Sequence, residues 1–388
     1  MTTAATNHAH RPEPPAETTG TATRTRLTRA RRTTREAIRL GRRPGLDGIR
    51  GGAVILVMLN HTGALRWGFV GVDVFFALSG FLITTLLFEE RQRHGRISLR
   101  AFYLRRARRL VPGLVLLLVA YAVAVTRFGL FGSYWPLWQR LASTLFYANN
   151  WVLATGHSPL GPLTLTWSLA QEEQFYLLWP ILLCLLWRLR ARPIVILTLL
   201  VAAVIGLMYY LPHVSAVAHL DNYYNPVYRF GQLLIGCAAA LLWRYRPTHL
   251  VLRWSPIGLA AIFGIGYFAD DTSRALLPRL AAGAICAAVL VLHAATGNRS
   301  ILNRLLSLPP LRFMGTISYG LYLYHLSILT VMLVYWPNLT WRVQTAILIP
   351  VSILVAWTSW HFVESRFVSS PGRDKETRIR RSPDGAGT

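Results

Sequence analysis

The sequence predicts an all-α fold, a polytopic membrane bundle of about ten transmembrane helices with both termini cytoplasmic. Three observations predict it. Hydrophobic residues make up 53% of the 388 and charged residues 15%, with a mean hydropathy of +0.37, a balance suited to lipid rather than to a soluble enzyme. Apolar segments of about 20 residues, the length of one bilayer crossing, recur from Asp47 onward. Lysine and arginine gather on one side of them. Of 41 such residues, 33 fall in the alternate segments 1–44, 89–109, 188–192, 244–253, 296–315 and 364–388. Six (Arg66, Arg127, Arg140, Arg274, Arg279 and Arg342) fall between, while Arg50 and Arg229 lie at or within spans. Positive charge stays in the cytoplasm, so this asymmetry orients the bundle. It also accounts for the net charge of +25 without a nucleic-acid partner, because the basic residues are interrupted by spans and form no recognition motif.

Residues 1–44 hold ten arginines against Glu13, Glu17 and Glu36 and little apolar surface. They are expected to form a disordered basic cytoplasmic tail that meets anionic headgroups. No apolar stretch of a cleavable signal is visible there, so the first span is expected to act as its own membrane signal. Ten spans follow: 48–65, 69–88, 110–126, 173–189, 193–211, 227–244, 255–269, 276–295, 316–336 and 343–363. Segment 139–154 is shorter and holds Asn149 and Asn150; it reads as re-entrant or interfacial, because an eleventh crossing would invert the charge pattern downstream. No internal repeat suggests an inverted-repeat transporter. Residues 45–365 therefore form one transmembrane domain, and 366–388 a second basic cytoplasmic tail. Cys184, Cys237 and Cys286 all sit in apolar runs, without ligand-like spacing and too few for a disulfide framework.

The first span reads RGGAVILVMLNH from Arg50 to His61. Eleven helical steps are about three turns, so the two side chains share a face about 16 Å apart. Ionisable groups on one face of a membrane helix are costly unless they meet partners, water or substrate. An imidazole with an ordinary pKa near ~6.5 suits a general base, although a histidine bonded between helices is the plainer reading. Arg50 is a fixed cation or forked donor, or an anchor reaching the headgroups. In the second span Asp73, Ala77, Gly80 and Thr84 form one stripe, i, i+4, i+7, i+11, read as a packing seam. Asp73 alone demands a partner there, and is expected either to stabilise the first-span face or to orient His61.

Arg105, Arg106, Arg108 and Arg109 cluster before the third span at i, i+3 and i, i+4 spacings. Charge alone makes them ordinary cytoplasmic arginines. Paired guanidinium forks also clamp phosphate, which suits a phosphate-rich donor such as coenzyme A. Glu172 and Glu173 open the next span in LTWSLAQEEQFYLLWP. Carboxylates at a helix start are favourable in themselves, with Ser168 or Thr166 as caps. Beside Trp167 and Tyr176 they also suit binding of a polyhydroxyl acceptor or tuning of His61, and Glu172 is expected on the His61 side. In GTISYGLYLYHLSIL, Ser318, Tyr322 and His325 share a face at i, i+4, i+7. An interfacial aromatic belt explains the tyrosines better than it explains His325, whose burial in the span implies a polar cavity. His157, His213 and His219 lie in outer loops and are not paired as metal ligands, so no metal site is expected.

In this order, GLDGIRGGAVILVMLNH, GVDVFFALSGFLI, FYLRRARRLVP, WSLAQEEQFYLLWP and ISYGLYLYH resemble the bacterial acyltransferase family 3 of integral membrane O-acyltransferases, over about 45–365. Arg50 and His61 match the family's Arg–ten residues–His motif, and Arg105 and Arg108 its Arg–x–x–Arg element. Glu172 matches the glutamate of its WSL-x-x-E-x-FY motif, with Gln171 where the family usually shows an apolar residue. His325 matches the histidine of its SYG-x-YL-x-H element.

The resemblance implies transfer of an acyl group, usually acetyl, from cytoplasmic acyl-CoA as co-substrate, with no bound cofactor. It implies a hydroxyl acceptor on a cell-envelope carbohydrate, a lipid-linked sugar or a secondary metabolite, and a multi-pass place in the bacterial plasma membrane. Many members add an extracytoplasmic hydrolase-like domain after the bundle; here the sequence after Glu364 is a short basic tail, so a second step by such a domain is expected to be absent or supplied in trans. The expected roles follow. Arg105, Arg106, Arg108 and Arg109 hold the CoA phosphates, Arg50 positions the pantetheine arm or thioester, and His61 takes the acceptor's proton. Asp73, Glu172, Ser318, Tyr322 and His325 orient His61 or contact acceptor. Because Arg50 and His61 are too far apart to touch one carbon, a long donor lying along the helix face has to connect them. The competing readings are a non-catalytic transporter or flippase for a lipid-linked or polyhydroxyl substrate, and a sensor or scaffold that kept the fold. The arginine cluster and the intact Arg50–His61 pair favour the enzyme.

Overall fold

The computed structural model describes Thr2 and residues 40–132, 135–156, 160–210, 223–245, 254–261, 264, 276–297 and 299–368. Most of both expected tails, His157, His213, His219, Arg274 and much of the span expected at 255–269 lie outside the described residues. Every regular element among the described residues is helical.

The first helix, α1, spans Pro44–His61, with proline at its start, where the missing N–H costs nothing, and Asp47 in its first turn. Helix α2, Val70–His94, is the spine of the bundle. Helix α3 runs Leu99–Phe128; Ser98 caps it by accepting the Ala101 N–H at 3.4 Å. Two short helices follow, α4 (Leu137–Leu145) and α5 (Asn149–Ala154), where the sequence suggested a single re-entrant or interfacial segment. Helix α6 spans Trp167–Arg188. Helix α7, Pro193–Ile205, continues as a π turn to Tyr210. A 3-10 turn, Gly161–Thr166, precedes α6; after α7 come α8 (Pro226–Tyr245), α9 (Leu276–Thr296), α10 (Ile301–Leu306), α11 (Pro309–Thr316), α12 (Ser318–Tyr335) and α13 (Trp341–Ser359). A π turn at Trp360–Glu364 extends α13.

Six of the described helices are long and apolar enough to cross a membrane: Val70–His94, Leu99–Phe128, Pro226–Arg244, Arg279–Thr296, Ser318–Tyr335 and Trp341–Phe367. Helices α1, α6 and α7, also expected to cross, are not in that set: α1 and α6 carry charged and polar residues within their length, and the apolar stretch of α7, Val195–Met208, is shorter. The outward surface is that of a membrane protein. Val115, Leu116, Val119 and Val123 of α3, and Leu177, Leu178, Ile181, Leu182 and Leu185 of α6, are exposed; such a surface belongs in lipid.

Lipid tails compete equally for apolar side chains, so helix association there depends on close backbone approach and buried polar bonds. Gly80 of α2 lies against the Leu233 backbone, and Gly236 of α8 against that of Ala77; a Cβ at either position would collide with main chain. On the same α2 face Thr84 accepts from Trp179 Nε1 at 2.9 Å. The stripe from Asp73 to Thr84 is therefore a packing seam.

Helix α3 differs from the expectation in being continuous through the arginine cluster, with Pro112 inside it. An internal proline removes a backbone donor and frees the carbonyl four residues back. Helix α12 braces this region. Tyr319 donates to the Leu110 carbonyl at 2.7 Å and Tyr324 to that of Gly113 at 3.2 Å.

Candidate active site

A cavity of about 730 Å³ runs along one face of α2. Phe75, Ser79, Leu82, Leu86, Glu90 and Arg93 line it. Their spacing, i, i+4, i+7, i+11, i+15, i+18, is one helical face, and eighteen residues at ~1.5 Å rise make the groove about 27 Å long. This face lies beside the Asp73–Thr84 seam, which is buried against neighbouring helices. Helix α1 contributes Arg50, α3 Arg105, Arg106 and Arg109, α6 Ser168, Glu172 and Tyr176, and α12 Ser318, Tyr319 and Tyr322. One end is charged, at Arg93, His94, Arg105 and Glu90; the other is aromatic, at Phe75, Phe76 and Tyr322.

The arginines divide by partner. Arg105 pairs with Glu90 at 3.0 Å. Arg106 pairs with Glu173 at 2.9 Å and lies over the Tyr176 ring at 3.3 Å from its centroid, where cation–π attraction adds to the ion pair. Arg50 and Arg109 have no carboxylate in ion-pair contact among the described residues. Each is the other's neighbour instead: the strongest charge acting on Arg109 is that of Arg50. Two cations side by side on a cavity wall, with Glu172 and Glu364 acting on them only from beyond ion-pair distance, suit an anionic ligand. Arg108 is outside the cavity lining, although it has interactions of its own.

Glu172 accepts from Ser79 Oγ at 2.7 Å, with Arg106 and Arg50 among the charges acting on it. The carboxylate therefore sits on the cavity wall with the arginines. The expectation that it lies on the His61 side is corrected: His61 does not line this cavity. The cause is the meeting of α6 with α3, which brings Glu173 and Arg106 to the same depth.

At the far side of the aromatic end, His61 Nδ1 and His325 Nε2 are 3.0 Å apart, with ring centroids at 5.1 Å. The last residue of α1 thus meets the eighth of α12. The network assigns the tautomers. His325 Nδ1 is 2.9 Å from the Leu321 carbonyl, which only accepts, so that nitrogen carries the proton. Neutral His325 then offers Nε2 as an acceptor, and His61 donates to it from Nδ1. The lone pair left on His61 is therefore on Nε2, the arrangement a general base needs. His325 is fully buried and His61 only partly so.

Tyr322 is the wall between cavity and histidines. Its hydroxyl donates to the Leu165 carbonyl at 3.2 Å and bonds to Ser168 Oγ. Its ring lies edge-on to Phe75 at 5.9 Å and to His325 at 5.9 Å. Ser318 donates to the Gly315 carbonyl at 3.0 Å, fastening the start of α12 to α11.

Asp73 does not contact His61. It accepts from Arg229 at 2.9 Å and from Gln232 at 3.0 Å, and all three are buried. The Arg229 guanidinium also lies 4.9 Å from the Trp167 ring centroid and 4.5 Å from that of Tyr223. Asp73 is thus taken up in an α2–α8 ion pair that props Trp167, the neighbour of Ser168. Gln171 bonds to Asn150 and to the Pro226 carbonyl, tying α6 to α5 and α8. Sequence reasoning missed Ser79 and Phe75, whose signal was the second α2 stripe, and gave Arg229 no partner. Among the described residues no three His, Cys, Asp or Glu side chains gather as a metal site.

Comparison with known proteins gives consistent matches. A family described as an acyltransferase domain matches residues 43–361. The putative peptidoglycan O-acetyltransferase YrhL of Bacillus subtilis is 32% identical over 367 residues, covering 87% of this chain and 56% of that protein. The peptidoglycan O-acetyltransferase OatA of Listeria monocytogenes is 32% identical over 357 residues, 83% of this chain and 55% of that protein. The O-acetyltransferase OatA of Staphylococcus aureus is 31% identical over 345 residues, 83% and 56% respectively. The chain spans about half the length of the curated relatives it matches. No solved structure matches it.

Proposed function

The chain belongs to the acyltransferase-domain family, and we propose from that premise that it moves an acyl group, acetyl before others, from acyl-CoA to a hydroxyl of a cell-envelope carbohydrate, in the bacterial plasma membrane. Peptidoglycan, named for the Bacillus and Listeria relatives, is the acceptor to try first.

The observation that carries the reading is one groove with Arg50 and Arg109 along it, neither in an ion pair among the described residues, and an imidazole pair behind its aromatic end. The donor's phosphates bind Arg109 and Arg50, with Arg105 and Arg106 adding charge at the rim. Its pantetheine arm follows the α2 face toward Tyr322, and this elongated shape spans the roughly 16 Å between Arg50 and His61. In this reading the Tyr322–Phe75 wall parts during turnover, so that His61 Nε2 takes the acceptor's hydroxyl proton while the oxygen attacks the thioester carbonyl. The new C–O bond forms, the C–S bond breaks, and the thiolate leaves to be protonated. His325 holds the His61 tautomer and Glu172 fixes the wall beside Arg50. Arg108, outside the groove, serves the inner surface and no donor contact.

The experiment is transfer from radiolabelled acetyl-CoA to peptidoglycan fragments by the protein purified in nanodiscs, with product mass as readout. Acceptor labelling that is lost in His61→Ala supports the reading. Movement of an intact acceptor across the bilayer without any acyl product would replace it with the transporter reading.

A further inference from the structure

The aromatic end of the groove is built unevenly. Tyr322 is tied by its hydroxyl to α6 and the preceding turn, and Phe76 is fully buried against Trp167. Phe75 has only packing to hold it, edge-on to Tyr322, and its face is partly open to the cavity. Behind it stand Val54 and Met58 of α1, buried apolar residues of the cluster Phe75 packs against. Met58 is one turn before His61. The ring of Phe75 thus fills the space between the end of the groove and the helix that carries the imidazole.

We propose that Phe75 sets the length of the acyl group. This rests on the donor reading above: with the phosphates at Arg109 and Arg50, the acyl end of a thioester abuts Phe75. The fixed Tyr322 and buried Phe76 leave this ring as the stop against which a chain beyond acetyl collides. A closed apolar pocket discriminates roughly 10- to 200-fold per methylene, so one ring at the blind end suffices to restrict the enzyme to short chains.

The test compares kcat/KM for acetyl-, butyryl- and hexanoyl-CoA in wild type, Phe75→Ala and Phe75→Tyr, each in nanodiscs with one acceptor. The expected result is that Phe75→Ala narrows the acetyl-over-butyryl preference by on the order of tenfold or more, while Phe75→Tyr keeps the wild-type preference. Phe75→Leu, which removes less volume, gives an intermediate ratio should the alanine variant fail to fold. Unchanged ratios in folded Ala and Leu variants, beside an active wild type, would overturn the proposal. Absence of transfer from any acyl-CoA in the wild type would instead defeat the donor reading on which it stands.

Discussion

Arg50 of α1 and Arg109 of α3 face one cavity as each other's charge neighbours, and among the described residues neither is in ion-pair contact with a carboxylate. Like charges side by side repel, and Glu172 and Glu364 offset the two guanidinium groups only from beyond ion-pair distance. An anionic ligand bound between them would compensate them directly.

Two consequences are measurable. Arg109→Ala should leave the ligand-free protein about as stable as wild type, because the exposed side chain is in no ion pair among the described residues, while Arg50→Ala also removes the attraction of Arg50 for Glu172. Each should also raise the donor KM, by on the order of tenfold per lost charge-assisted bond of ~1.5–3 kcal/mol. Thermal shift with free coenzyme A reads both: it should stabilise the wild type and not the double variant. Equal protection of the two would place the anion elsewhere.

Arg106 is already satisfied by Glu173 and Tyr176, so it should behave differently from Arg109. Arg106→Ala leaves Glu173 without its ion-pair partner. It should lower stability, where Arg109→Ala does not. Melting temperatures of the two variants, measured side by side without donor, separate a structural arginine from a ligand-binding one.

The His61–His325 bond makes a prediction about coupling. Loss of a general base costs about 10²- to 10⁴-fold in rate, so His61→Ala should remove measurable transfer while the protein remains folded and inserted. His325→Gln keeps an acceptor for His61 Nδ1 and should retain more kcat than His325→Ala. In the double variant the losses should not multiply, because the two rings act as a unit. Multiplicative losses would mean that His325 works separately from His61, for instance on the acceptor.

Much of this was legible in the chain. Helix positions follow from apolar runs, and the five motifs carry the candidate site residues. The partners were not legible, because pairing depends on the depth at which helices meet. Periodicity put Asp73 on a stripe with Ala77, Gly80 and Thr84, correctly a packing seam, yet nothing local shows that the stripe docks on α8 and Arg229. Adjacent glutamates at a helix start look alike in sequence. In three dimensions Glu172 goes to Ser79 and Glu173 to Arg106. The groove itself lies on the α2 face that reads as ordinary lipid-facing sequence, since Phe75, Leu82 and Leu86 are as apolar as a membrane surface demands.

Asp73 supplies the last prediction, because two roles for it give opposite kinetics. Its carboxylate pairs with buried Arg229 and shares Gln232, with no contact to His61. Removing one partner of a buried pair strands the other charge and costs about 3–5 kcal/mol. Asp73→Ala should therefore lower the yield of folded, membrane-inserted protein severely. Asp73→Asn should do less harm, since an amide oxygen still accepts from Arg229. Activity per folded molecule should stay near wild type in Asp73→Asn, with an unchanged donor KM, because the pair supports Trp167 and the α2–α8 seam rather than the reacting atoms. A large fall in kcat at normal folded yield would return Asp73 to the role of orienting His61, and would require the two residues to approach during turnover.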